Sequence, residues 1–179
     1  QKGDRYELTD VNVSFGRVST DGSPIPGNGS LQFDVQPSGY SGDVEVETEL
    51  VFDASTGIFT LNGFSMTGVA NGIVESPTRM SFSTASMEIR SAENMVSVEP
   101  ISVSVLDIDM HAEVEPFSYD GDIKPTAQIR IEPFSPRNVM QLFDVEAPET
   151  ADPNVLTSVS VEAKAYVREN NISLTGVAI

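Results

Sequence analysis

The sequence predicts a mainly β protein: an elongated or curved, mostly antiparallel sheet of repeated hairpins, with one short helical insertion at about 135–157. Three observations predict it. Apolar and polar residues alternate over long runs, an eight-residue strand pattern recurs along the chain, and the alternation breaks once, at a helix-capping sequence.

The alternation is clearest in three ladders. Val44, Val46, Thr48, Leu50 and Phe52 interleave with Asp43, Glu45, Glu47 and Glu49. Met80, Phe82 and Thr84 stand against Ser81, Ser83 and Ala85, and Val159, Val161, Ala163, Ala165 and Val167 against Ser160, Glu162 and Lys164. A period of two places one set on an apolar face and the other on a wet face.

The recurring pattern is apolar-x-apolar-x-x-apolar-x-apolar. It spans Tyr6–Val13, Phe59–Met66, Val96–Val103 and Ile172–Ile179, and in variants with a Glu-Pro centre Ala112–Tyr119 and Ile129–Pro136. The odd central gap would send the two apolar pairs to opposite faces of a regular strand. A β-bulge at the central dipeptide returns them to one face, and Gly or Pro there suits a bulge or a break in pairing. The prediction is that dipeptides 62–63, 99–100 and 175–176 sit at bulges or bends; composition alone in a Val/Ser-rich chain is the competing explanation.

Three hairpins follow. Val44–Phe52 leads through 53–57 into the Phe59 copy, Met80–Ile89 through 90–94 into the Val96 copy, and Val159–Val167 through 168–171 into the Ile172 copy. The helix begins with Ser135 as N-cap and Pro136 at its first position, and Val139, Leu142 and Phe143 share a face at i, i+3, i+4. A second cap at Asp152-Pro153 introduces a single turn carrying Val155 and Leu156.

Charge and composition narrow the function classes. The chain has 179 residues, suiting one domain over 1–179, with 27 Asp plus Glu against 10 Lys plus Arg and a net charge of −17. That balance argues against nucleic acid as a partner, since phosphates are held by Lys and Arg, and against docking on an anionic membrane surface. Cysteine is absent, which removes disulfides and thiol ligands. The start at Gln1-Lys2-Gly3 and the end within a strand at Ile179 lead to the expectation that the chain is a piece of a longer protein.

The run Glu132-Pro133-Phe134-Ser135-Pro136-Arg137, a helix with Leu142, then Pro148-Glu149-Thr150-Ala151-Asp152-Pro153 and Leu156 resembles the AsmA family. In that family a strand ends in Phe-Ser-Pro-Arg, an apolar helix follows, and Thr-x-Asp-Pro-x-x-Leu precedes more strands. The residues carrying the likeness are Phe134, Ser135, Pro136, Arg137, Leu142, Thr150, Asp152, Pro153 and Leu156. The distinctive stretch covers about 129–160. One departure is that Phe143-Asp144 stands where the family has Leu-Gly closing the helix.

The resemblance implies a segment of a periplasmic protein of outer-membrane biogenesis. Its parent would be held in the bacterial inner membrane by an N-terminal anchor that this chain lacks. It also implies a long β groove passing phospholipid or another acyl-chain ligand between membranes, with other envelope proteins as further partners. A groove would draw on one apolar face of the sheet, with Leu50, Phe52, Leu61, Phe64, Met66 and Phe82 as lining candidates; their ordinary alternative is core.

Catalysis is not expected, nor any metal or cofactor. His111 is the one histidine, and Asp107, Asp109 and His111 alternate as ligands on a strand face would, but in an acidic protein a solvated face is the simpler account. Asp120-Gly121-Asp122 lacks the remainder of a calcium loop and reads as a turn. Paired carboxylates for glycoside cleavage do not stand out, and Trp is absent. The second functional reading is an extracellular or cell-surface β-sandwich module for adhesion or glycan binding.

Overall fold

In the computed structural model, residues 5–121, 123–149, 154–168 and 171–178 are described. The strands are β1 (Arg5–Phe15), β2 (Ile25–Gln36), β3 (Tyr40–Asp53), β4 (Ile58–Asn71), β5 (Thr78–Arg90), β6 (Met95–Val98), β7 (Ile101–Val105), β8 (Ile108–Val114), β9 (Phe117–Ser118), β10 (Thr126–Phe134), β11 (Val159–Arg168) and β12 (Asn171–Ala178); the helix α1 is Pro136–Leu142. The twelve strands form one open sheet in the order β1-β2-β3-β4-β5-β7-β8-β10-β11-β12, with β6 beside β5 and β9 beside β6. Its ladders are antiparallel, and neighbours in the sheet follow one another closely along the chain. This is the predicted fold class. The two facing sheets that a β-sandwich requires are not formed among the described residues.

The three predicted hairpins are β3–β4, β5–β6 and β11–β12. The last is tighter than expected: Arg168 and Asn171 pair with each other, so the connection is shorter than 168–171. Gly57 and Gly121 occupy turns with φ of 67° and 89°, the left-handed region where glycine avoids a Cβ clash.

The repeat's central dipeptides coincide with the irregularities of the sheet. In β4 the pairing with β3 shifts between Glu47↔Ser65 and Glu49↔Asn62, with Gly63 at φ 57°. In β12 it shifts between Lys164↔Thr175 and Glu162↔Ala178, with Gly176 at φ 63°. Glu99-Pro100 separates β6 from β7, where Pro has no N–H to offer a ladder. The remaining copies behave alike: β1 shifts between Thr9 and Asn12, with Asp10 at φ 49°, β10 shifts between Ile131 and Phe134, and Glu115-Pro116 separates β8 from β9.

The register places three of these irregularities side by side. Asn62↔Ser86 and Phe64↔Thr84 bracket Gly63, and Met87↔Val98 and Thr84↔Ile101 bracket Glu99-Pro100. The same row continues through Glu113↔Gln128 and Gln128↔Lys164 to Thr175 beside Gly176. Side chains stitch it: Thr48 Oγ1 donates to the Asn62 carbonyl at 3.2 Å, Ser86 Oγ to Asn62 Oδ1 at 3.3 Å, and Thr84 Oγ1 to the Glu99 carbonyl at 3.0 Å. The result is a transverse line that carries the irregularities of β4, of the β6–β7 break and of β12, and a bulged strand bends at its bulge.

The helix forms as its caps predict. Ser135 Oγ accepts the Asn138 N–H, and Pro136 occupies the first turn where its missing N–H costs nothing. At the other end Val145 N–H bonds the Met140 carbonyl at 2.9 Å and Asp144 N–H the Gln141 carbonyl at 3.2 Å. That is a Schellman closure, with Asp144 at φ 53° in the left-handed position usually given to glycine. Phe143 is the C-cap just outside the helix, α1 buries no residue, and Leu142 and Phe143 are 39% and 46% exposed. The insertion is tethered through its polar atoms instead, with Arg137 Nε donating to the Val155 carbonyl at 2.7 Å and Arg137 N–H to that of Leu156 at 3.2 Å. Val155 and Leu156 lie in a turn rather than a helical one, and Leu156 has φ 64°. Thr150, Asp152 and Pro153 lie outside the described residues.

Candidate functional site: an uncovered apolar sheet face

Residues paired across a ladder point to the same face, so the register sorts every side chain. One row of partners runs Val13–Gly29–Val46–Met66–Phe82–Val103–Met110–Ile131–Val161, crossing from β1 to β11. The adjacent row is Ser14–Asn28–Glu47–Ser65–Ser83–Ser102–His111–Arg130–Glu162. The first is apolar throughout, the second polar throughout. Alternation within each strand has become segregation across the whole sheet.

Among the described residues no second layer packs on the apolar face. Among the described residues only Ile25, Ala70, Val96 and Ala165 are buried apolar side chains, and none is enclosed on all sides. The accessible surface is 12051 Å². A globular chain of 19.2 kDa exposes about 8400 Å². The excess of roughly 3600 Å² is what a single layer leaves open when no second layer packs on it.

The six sequence-predicted lining residues gather on this face. Leu50 pairs with Leu61, Phe52 with Phe59, and Met66 with Phe82. Phe64 meets Phe82 edge-on, with ring centroids 5.7 Å apart. The bulge at Gly63 makes this possible, because it brings Phe64 and Met66 onto the face already holding Phe59 and Leu61. Of the family-like residues, Phe134 ends β10 and pairs with Val159 on the apolar side, while 135–137, 142 and 156 are elsewhere, in the tethered helical insertion.

Sequence reasoning missed a depression of about 230 Å³ on the same face, over Gly27 and Gly29, between Val13 and Phe15 on one side and Val44 and Val46 on the other. Two glycines at i and i+2 of one strand were the available signal, since together they leave a gap in one face. A larger hollow of about 580 Å³ lies on the polar face among His111, Glu113, Arg130, Glu162 and Lys164. Its basic groups are engaged: Arg130 meets Glu162 at 3.0 Å, Lys164 meets Glu115 at 3.5 Å, and His111 Nδ1 lies 3.1 Å from Ser102 Oγ.

The alternating acid pair beside His111 is not one strand face. Asp107 sits with Leu106 in the β7–β8 turn, both at positive φ (58° and 53°), while Asp109 and His111 follow on β8. Asp120 accepts from Asn94 Nδ2 at 3.0 Å in the turn that contains Gly121; Asp122 lies outside the described residues.

What the arrangement offers chemically is a broad, mostly apolar surface, on which the Thr48 and Thr84 hydroxyls are engaged with the carbonyls of Asn62 and Glu99. The ladders use the backbone donors and acceptors of the inner strands, and the polar side chains project from the other side. Such a surface holds apolar matter by exclusion from water and discriminates by shape. Comparison of the chain with protein-family models, with curated proteins and with solved structures finds no match.

Proposed function

We propose that this chain is a non-catalytic, AsmA-like periplasmic segment that carries phospholipid acyl chains along its apolar face, as part of outer-membrane biogenesis. The observation that carries this reading is the segregation of the sheet into one apolar and one acidic face, with the apolar face uncovered. A lipid lying on it keeps its headgroup at the rim, in water, and its acyl chains against Val46, Met66, Phe82 and their row. At about 25 cal/mol per Å² of apolar surface removed from water, a few hundred Å² of contact is sufficient for retention, and the absence of polar anchors permits movement along the face. The placement in the periplasm and the anchored parent rest on the family resemblance alone.

The test is extraction of lipid from the purified chain followed by mass spectrometry, with transfer of fluorescent phosphatidylethanolamine between vesicles as the second readout. Phospholipid is expected in the extract, and Phe82→Asp is expected to abolish transfer while Ser83→Asp, its neighbour on the other face, leaves it intact. Equal transfer by the two variants would refute the assignment of the face. No bound lipid and no transfer, together with calcium-dependent glycan binding, would refute the function.

A further inference from the structure

We infer that the furrow over Gly27 and Gly29 is a seat for a single acyl-chain segment, and that the two glycines determine what fits. This inference rests on the proposed function and names the place where a chain is held.

The furrow exists because β2 withholds two side chains from the apolar face. Its face residues are Ile25, Gly27, Gly29, Leu31 and Phe33 in turn, so the strand is bare between Ile25, which is buried, and Leu31. The Phe15 ring fills the space over Gly27, so the open stretch runs along the strand from Gly29 towards Leu31. Phe15 leans over one end: a Cβ on Gly27 would stand 3.0 Å from its ring and 3.5 Å from Thr48 Cγ2. Over Gly29 the space is wider, with the Asn12 carbonyl at 3.4 Å and Val13 Cγ2 at 4.0 Å.

Charge and dimensions select the occupant. A second copy of this chain brings another −17, and nucleic acid or an acidic peptide brings like charge, so each is repelled at close range. A peptide strand also needs an unpaired edge, whereas β2 is laddered on both sides, Phe15↔Gly27 and Val13↔Gly29 on one and Gly27↔Thr48 and Gly29↔Val46 on the other. The volume of about 230 Å³ is below the roughly 300–1000 Å³ of pockets that enclose a drug-sized molecule. A slender, uncharged chain without donors or acceptors meets all three conditions.

Gly29 is the position to change, because its φ is not in the left-handed region and a Cβ there meets only ordinary contacts. The probe is phosphatidylcholine with a diazirine on one acyl chain, photolysed with the intact chain and mapped by peptide mass spectrometry. Cross-links are expected on Val11–Phe15 and Val44–Val46. Gly29→Val is expected to lower their yield about tenfold, the equivalent of displacing roughly two methylenes, and Gly29→Ala about threefold. Circular dichroism establishes that the sheet persists; should Gly29→Val fail to fold, the graded loss in Gly29→Ala decides. Undiminished cross-linking, or adducts concentrated around Phe64 and Phe82, would overturn the seat and leave the lipid-carrying face standing. No adduct anywhere on the unmodified chain would overturn both.

Discussion

The bend line makes a quantitative prediction at Gly63. Its φ of 57° lies in the left-handed region, and a Cβ built there meets nothing within 4 Å. Gly63→Ala therefore isolates the backbone term from any steric one. Forcing an L-residue into that region costs about 1–2 kcal/mol, and the reduced freedom of the unfolded chain returns about 0.4–1 kcal/mol. The expected net loss is about 1 kcal/mol, which shifts Tm by about 2–4 °C for a chain of this size and the urea midpoint by roughly 0.4 M. Gly63→Asn should cost about half as much, because Asn and Asp tolerate this region; the chain itself places Asp10 at φ 49° in the corresponding position of β1. Gly63→Val should cost about 2 kcal/mol or more, since β-branching makes the conformation still harder to reach. Urea titration followed by circular dichroism measures all three. An Ala variant as stable as the parent, or a Val variant no worse than Ala, would show that the bulge relaxes freely, and the argument that bends are fixed by these dipeptides would fail.

Two further effects follow from the loops. Asp21 accepts from Ser19 Oγ and from the Ser23 N–H at 3.0 Å, and these bonds lower its pKa from 3.8 to about 2. Because the folded value lies below the unfolded one, the stabilisation is complete above about pH 4 and is lost as pH falls towards 2. Thermal melts from pH 5 to pH 2 should show a shallower acid slope for Asp21→Asn than for the parent, and an identical slope would refute the linkage. At the helix C-terminus, Asp144 combines a left-handed φ with a carboxylate near the negative end of the helix dipole. Asp144→Gly removes both penalties, worth about 1 kcal/mol together, and should slow amide exchange at 144 and 145 about fivefold. Faster exchange would contradict it.

The parts of the fold legible in the sequence are those set by neighbours along the chain. Alternation at 43–52 and 159–167 located β3 and β11, the odd gap in the repeat located the bulges, and Ser135-Pro136 located the helix start. What pairing decides was not legible. That Gly63, Glu99-Pro100 and Gly176 form one line depends on the offsets of six ladders, and no single strand records them. The apolar face offered the same difficulty. The register places Phe64, Met66 and Phe82 on one face, yet alternation is identical whether that face is covered or bare. Asp107 was misplaced because Leu106-Asp107 turns at positive φ without the Asn-Gly or Asp-Gly that usually marks such a turn. That α1 buries no residue was likewise not legible, because i, i+3, i+4 spacing reports amphipathicity, not the presence of something to pack on.

A single-layer sheet with one apolar face is a costly way to build a protein unless that face is used. Native chains of this size ordinarily bury roughly 70% of their unfolded surface, and this one leaves about 3600 Å² more exposed than its mass requires. Folding is sustained by the length of the ladders, which satisfy the backbone along strands of up to fourteen residues, and by contact between neighbouring side chains within the face. The same extension leaves the hydrophobic term incomplete. Any apolar ligand that lies down on the face supplies the missing part, and by mass action it stabilises the folded state by the amount it binds. The polar face then has a role of its own. The chain as a whole carries 27 acids against 10 bases, and like charge of that size opposes the stacking of apolar faces of two copies. If the proposed function holds, both faces serve one end, because the apolar side must stay open to a chain of methylenes.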